Sequence, residues 1–323
     1  MILKYIVAIS TGAAIMAALP AKAQGFPNKP IRFIVPNGMG GSTDLVARAI
    51  AQKLSETLGH QVVVDNRPGA GGTVGTVIVA QAPADGHTLL MGTIGNLAIS
   101  PALYKKLPYD PVKDFDSVTQ LAASAYVLAV HPNVAAKSVV EFVQLAKAKP
   151  GGMNYASAGS GTGSHLTMEL FKSVAGVNIV HIPYKGGTAG LTEVISGQVQ
   201  AMFNGIPSTV PHVRTGRLRV LVVSTPKRVA VLPDTPTLAE QGFPKAESTS
   251  WTSLMVPKGT PAAIVNKLYL ESAKALQSPD VRERLQFDGA EPVGSKPAEF
   301  AAYLRQELVK WAGVVKVSGA KAD

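Results

Sequence analysis

A strand that runs into a glycine-rich loop and then into a helix recurs along this chain, and that unit narrows its possible folds more than any other feature. The first copy is Pro30-Ile31-Arg32-Phe33-Ile34-Val35-Pro36-Asn37-Gly38-Met39-Gly40-Gly41-Ser42-Thr43-Asp44. Leu45, Ala49 and Leu54, with Val46 and Ile50 beside them, follow at near-helical spacing, so a helix is predicted to start near Ser42 or Thr43. Gln61-Val62-Val63-Val64-Asp65 is a second buried-type strand, and Asn66 to Gly72 a second glycine-rich loop, before a helical run from Val74 to Ala82. A third strand, His87 to Thr93, ends at Ile94-Gly95-Asn96. Strands alternating with helices in this way predict a parallel, doubly wound sheet. In such sheets ligands gather outside the carboxyl ends of the strands, where all three loops lie.

The pattern restarts after a surface loop at Tyr109 to Phe115. Ser117 to Val130 is a long apolar strand, Ser138 to Lys147 an amphipathic helix, and Met153 to Ala156 a short strand. The loop Ser157-Ala158-Gly159-Ser160-Gly161-Thr162-Gly163-Ser164-His165 then leads into a helix over Leu166 to Val174. Strands are predicted at Ile179 to Pro183, Val199 to Asn204 and Leu218 to Ser224, with a helix at Leu191 to Ser196. Pro226 to Pro244 is rich in turn residues, Ser248 to Val256 is extended again, and helices fill Pro261 to Leu276, Pro279 to Gln286 and Pro297 to Val317. Two α/β blocks and a helical tail predict two lobes, joined by crossing segments near 118–130 and 246–256. The first lobe is assigned residues 24–122 and 250–323, the second 123–249.

The N-terminus reads as a secretory signal. Met1-Ile2-Leu3-Lys4 is a basic start, Tyr5 to Leu19 an apolar and small-residue run, and Ala21-Lys22-Ala23 fits the A-x-A cleavage pattern. Cleavage after Ala23 would expose Gln24, and export to the periplasm is the expected address. The sequence has no cysteine, which excludes disulfides, thiol catalysis, thiolate metal sites and acylated anchors. The formal charge of +10 admits nucleic acid, an acidic membrane or an anionic small ligand as partner. Apart from Lys105-Lys106 and Lys227-Arg228, however, basic residues are scattered singly, and the 6% of aromatics do not interleave with them. An anionic solute fits best, with nucleic acid excluded and a monomer expected.

Reactive constellations are missing. G-x-S-x-G fails because Ala158 lies two before Ser160 and Thr162 two before Ser164. G-x-G-x-x-G, the phosphate-binding G-x-x-x-x-G-K-[ST] and H-E-x-x-H are absent, and the six histidines show no metal spacing. No cofactor or metal is expected. An exported α/β hydrolase using Ser160 or Ser164 with His165 is the alternative from a different class. Convergent neutral polarity is abundant instead: glycine N–H groups with Ser42, Thr43, Thr93, Asn96, Ser157, Ser160, Thr162, Ser164 and Asn204. Helix N-termini aimed into a cleft of such groups would hold a carboxylate or phosphate by dipoles.

Across the chain after Ala23, the sequence resembles the Bug-type periplasmic solute-binding receptors of tripartite tricarboxylate transporters. The resemblance rests on Gly40-Gly41-Ser42-Thr43-Asp44 with Ala47-Arg48, and on Val64-Asp65-Asn66-Arg67-Pro68-Gly69-Ala70-Gly71-Gly72. Asp85-Gly86-His87-Thr88-Leu89-Leu90, Leu107-Pro108-Tyr109-Asp110, Asn154-Tyr155-Ala156-Ser157-Ala158-Gly159 and Pro183-Tyr184-Lys185-Gly186 extend it. Leu232-Pro233-Asp234-Thr235-Pro236-Thr237 and Ala239-Glu240-Gln241-Gly242 complete it. It implies an α/β, two-lobed periplasmic-binding-protein fold, type II-like, with two crossover segments and a helical C-terminal tail. It also implies no chemistry on the solute, and delivery to an integral-membrane permease or presentation to a sensor kinase. Carried onto this chain, the ligand pocket falls on Asn37, Gly38, Met39, Gly40, Gly41, Ser42 and Asp44, on Thr93, on Ser157, Gly159, Ser160, Gly161, Thr162 and His165, and on Asn204. Two positions depart from the pattern: Asn37 stands where relatives are often aromatic or apolar, and His87 where tyrosine is usual.

Overall fold

The computed structural model describes residues 25–287 and 289–321, so the predicted signal segment and its cleavage site lie outside the described residues. β1 (Ile31–Val35) is buried except at Arg32, as a central parallel strand should be. α1 (Ser42–Leu58) turns Val46, Ile50, Leu54 and Leu58 inward and stops at Gly59, whose left-handed φ of 70° a side chain would resist. β2 (Val62–Asn66), α2 (Thr73–Ala80) and β3 (Thr88–Thr93) follow, then a π-helical turn (Ile94–Ile99) and α3 (Ser100–Leu103). β4 (Phe115–Val130) leads to α4 (Val139–Ala148), β5 (Asn154–Ser157), α5 (Gly163–Ala175), β6 (Val180–Pro183), α6 (Gly187–Ile195), β7 (Ala201–Gly205), α7 (Ile206–Arg214) and β8 (Arg219–Val223). β9 (Thr249–Pro257), α8 (Ala262–Gln277), α9 (Pro279–Phe287), β10 (Ala290–Pro292) and α10 (Pro297–Ser318) complete the chain.

The strands run in the order β2-β1-β3-β9-β4-β7-β5-β6, with β10 and β8 also on β4. β2, β1 and β3 are mutually parallel, as are β6, β5 and β7. These two parallel blocks match the two α/β blocks of the sequence. Between them β9 and β4 run antiparallel to their neighbours. β4 joins the halves: its residues Phe115 to Ala125 pair with β9, and Tyr126 to Val130 pair with β7. At the predicted second crossing, near 246–256, Ser248 donates its N–H to Ser224 O and its hydroxyl lies 2.9 Å from that of Thr167, both in the second half, whereas β9 pairs with β3 and with Phe115 to Ala125 of β4.

Each half has helices on both faces, and strand alternation divides its core. Ile31, Phe33 and Val35 enter one apolar cluster beside Ile50, Leu54 and Leu268, while Ile34 points into the other with Leu90, Trp251, Phe300 and Trp311. The π-helical turn with α3, then α7 and β10, were not predicted. α7 carries Pro207 and Pro211, residues that usually break a helix. Pro207 sits in the first turn, where no N–H is needed, and Pro211 is tolerated inside. β10 is three residues long and carries no strand signature.

Candidate functional site

The loop after β1 is shaped by a carboxylate that turns away from the cleft. Asp44 is 2% exposed and accepts from Gly40 N–H at 2.9 Å, Arg48 Nε at 2.9 Å and Asn66 Nδ2 at 2.9 Å. Burial raises its pKa, but these hydrogen bonds and the Arg48 charge outweigh that and hold it below the ordinary carboxylate value. Asn66 Nδ2 also donates to Asn37 O at 3.0 Å, so Asp44 and Asn66 together pin the loop to the start of α1.

After β3, a second device fixes the π-helical turn. Thr93 N–H and its hydroxyl both donate to Asn96 Oδ1, at 2.7 and 2.8 Å, and Asn96 Nδ2 donates to Thr76 Oγ1 at 2.7 Å. Asn96 is fully buried, and the arrangement is a capping box. It holds the Ile94 and Gly95 backbone at the cleft wall.

The facing loop after β5 is built on stacked rings. His165 lies 4.0 Å from His181 with planes 10° apart, and Tyr155 stacks beyond His181. Ser157 Oγ is 2.7 Å from His181 Nε2 and accepts from Gly159 N–H. Thr162 caps α5: its hydroxyl donates to Gly159 O at 2.7 Å and accepts from His165 N–H. His165 Nδ1 accepts from Gly161 N–H at 3.2 Å. Burial first, then the neighbouring His181 and Lys172, push the His165 pKa down to about 3. An imidazole that weakly basic and already bonded to a backbone amide is no general base, and Ser164 Oγ donates to Phe203 O. Ser164 is thus committed to a backbone carbonyl and His165 Nδ1 to a backbone amide, so the geometry does not assemble the Ser164–His165 pair that a hydrolase would need.

The loops line two adjoining chambers, an inner one of about 70 Å³ and an outer one of about 640 Å³, which share Asn37, Gly38, Gly71, Ala158 and Thr162 as lining residues. Five helical segments begin at the inner chamber. Gly41 and Ser42 start α1, Thr93 the π-helical turn, Thr162 and Gly163 α5, Gly187 α6, and Gly205 α7. Each helix start carries about half a positive charge on unsatisfied N–H groups. No Lys, Arg, Asp or Glu lines this chamber among the described residues. Such a set of neutral dipoles is chemically suited to an anion. Tyr126, its phenol pushed up to about 12 by burial, lines it with Ser250.

Of the residues named from sequence, Asn37, Gly38, Gly41, Ser42, Thr93, Thr162 and Asn204 line the inner chamber, and Gly159 and Ser160 the outer one. Met39, Gly40, Asp44, Ser157, Gly161 and His165 line neither. Met39 is 68% exposed, and Gly40, Asp44, Ser157, Gly161 and His165 belong to the hydrogen-bonded scaffolds behind the loops. Sequence reasoning missed Gly71, Tyr126, Gly187, Gly205 and Ser250, and Tyr104, Tyr184 and Lys185 in the outer chamber. Gly187 and Gly205 follow strand ends, the same signal that exposed the other loops. Tyr126 and Ser250 lie on antiparallel strands and give no such signal.

The lobes meet across this cleft. Ser42 Oγ lies 3.3 Å from Ser208 Oγ, and a Cβ on Gly71 would stand 2.9 Å from Ser160 O. Residues 46–320 match the model of the tripartite tricarboxylate transporter family receptor. The chain belongs to that family. A solved structure of the periplasmic binding protein BugD is 32% identical, covers 92% of this chain and 99% of its own, and superposes with a TM-score of 0.88. A protein of R. palustris solved with adipate is 35% identical, with a TM-score of 0.89 over 92% of this chain and 99% of its own. MatC from Rhodopseudomonas palustris with bound malate is 35% identical, with a TM-score of 0.86 over 90% of this chain and all of its own. The tricarboxylate transporter receptor is thus a two-lobed periplasmic solute-binding protein and not an enzyme. Among the described residues no helix is long and apolar enough to cross a membrane.

Proposed function

We propose that this receptor captures a small mono- or dicarboxylate, aliphatic or aromatic, between its lobes and delivers it to the integral-membrane permease of a tripartite tricarboxylate transporter. The observation that carries the reading is the convergence of five helix starts on a chamber with no charged side chain. A carboxylate needs several N–H donors at one point, and oriented backbone dipoles supply them without a salt bridge. That relatives were solved with adipate and malate supports the same solute class here. The ligand contacts we assign are Asn37, Gly38, Gly41, Ser42, Thr93, Gly159, Ser160, Thr162 and Asn204, with Asp44 and His165 shaping the loops behind them. We take the lobes as 24–122 with 250–323, and 123–249. The exchange of strand partners along β4 between Ala125 and Tyr126 lies close to the first of these boundaries, with Ala123 to Ala125 still paired to β9. Cleavage of a signal peptide after Ala23 would place the mature protein in the periplasm.

A thermal-shift panel of carboxylates tests the reading. A ligand at 100 times its dissociation constant stabilises by about 2.7 kcal/mol, so a binder should raise the melting temperature clearly. Absence of a shift with every acid would remove the carboxylate assignment.

A further inference from the structure

Helix starts hold an anion well but attract it only from close by. Their partial charges lose influence within about one helical turn, whereas a full charge acts over a screening length of about 8 Å at physiological salt. An anion still outside the cleft therefore feels the inner chamber faintly. Lys185 is the one charged residue that lines either chamber among the described residues, and it stands in the outer one. It is exposed, and its ammonium makes no ion pair or hydrogen bond with any described residue. Basic groups on the neighbouring elements are already neutralised: Arg48 pairs with Asp44, Arg32 and Arg67 with Asp65, and Lys172 with Glu169. Burial, then Glu193, raises the pKa of the adjacent Tyr184 phenol, but Glu193 itself lines neither chamber. Lys185 also marks the seam between the lobes, since a Cβ on Gly38 would stand 3.2 Å from Lys185 O.

We propose, on the strength of the carboxylate reading above, that Lys185 is the charge that collects the solute: it draws the anion from bulk water into the outer chamber and sets how fast the receptor loads, not how tightly it holds. The bound carboxylate of that reading lies in the inner chamber, which Lys185 does not line. A charge at the rim of a binding surface acts mainly on association and on its salt dependence, while dissociation follows the contacts of the bound state. An ammonium met at about 7 Å in water multiplies the local anion concentration by about threefold for a single negative charge and about sevenfold for two.

Stopped-flow mixing of the full receptor with the acid that gives the largest shift in the carboxylate panel tests this. It is run at ionic strengths of about 0.01 M and about 1 M, where the screening length is about 30 Å and about 3 Å. Lys185→Gln, checked for an unchanged unliganded melting temperature, should slow association at low salt by about threefold for a mono-acid and about sevenfold for a di-acid. At high salt variant and native protein should converge, and dissociation should stay the same throughout. Lys185→Arg, which keeps the charge, should restore the native rate. Lys137→Gln is the control for net charge. Lys137 is exposed at the start of α4, beyond Val130, which pairs with the first residue of β7, whereas the chamber lies at the last. Its loss should leave association unchanged. An association rate indifferent to Lys185→Gln at low salt overturns the proposal. So does an equal slowing in Lys137→Gln, which would assign the attraction to the whole molecule, and so does a loss carried by faster dissociation, which would make Lys185 a contact of the bound solute. If no acid binds the native receptor, the carboxylate reading itself falls; binding with rates indifferent to Lys185 removes this inference alone.

Discussion

His165 illustrates how a residue beside the cleft can govern stability without touching a solute. Unfolded, its imidazole titrates near 6.5; folded, burial and the stacked His181 lower it to about 3. Because the folded pKa is depressed, protons bind the unfolded chain first as pH falls, so this contribution is complete above 6.5 and is lost progressively down to about 3. At pH 5 the loss from this one ring is about 2 kcal/mol. Replacing it, as in His165→Gln, should make the fall in unfolding free energy between pH 7 and 5 shallower by about that amount in denaturant titrations. An unchanged pH profile would show that the ring is not held neutral. Asp44 works in the opposite chemical sense: it stays charged and organises Gly40, Arg48 and Asn66 around itself.

At the scale of elements, closure depends on the helix starts approaching one another with nothing between them. Gly205, which caps α7, has an ordinary φ of −66°, so alanine there meets no backbone strain. Its Cβ would nevertheless lie 2.3 Å from Ser42 Oγ and 2.9 Å from Ser42 Cβ on the other lobe. Gly205→Ala should therefore leave the unliganded melting temperature almost unchanged while weakening binding by about tenfold or more. Scattering in solution should show the liganded variant more open than the native protein, and full affinity would sink the idea. The loops at Asn37 to Ser42 and Ser157 to Thr162 were legible in the sequence because glycine at a strand end is a backbone requirement that leaves a residue signature. α7 was not, since its two prolines mimic a turn until the N–H groups they lack are seen to be unneeded. Nor were Tyr126 and Ser250, whose place in the chamber comes from antiparallel pairing between strands far apart in the chain. Asp44 shows a different limit: its acidic charge at a helix start suited either a ligand water or a loop tie, and only its three partners separate the two.

Across the whole molecule, the C-terminal helix α10 bears on both lobes. It packs on β4 and the π-helical turn of one and on α5 of the other, and Leu166 of α5 shares a cluster with Trp251, Phe300 and Trp311. Glu307 fastens it there, accepting from Trp251 Nε1 at 2.8 Å and Trp311 Nε1 at 3.0 Å. Glu307→Leu would leave two buried indole N–H groups unpaired, each costing about 1–3 kcal/mol. The melting temperature should fall by several degrees and the tryptophan emission should shift. A variant as stable as the native protein would show that the helix is held by apolar contact alone. The helix starts that face the inner chamber are shared out: α1 and the π-helical turn stand on one lobe, α5, α6 and α7 on the other. Their combined field exists only while the lobes are together. Spreading them by a few ångströms would scatter the donors before any competing ion arrived. Under the proposed function, a docked membrane partner would therefore have no need to outbid the receptor for its cargo. It would have only to pull the lobes apart, and the place proposed for the anion would cease to exist.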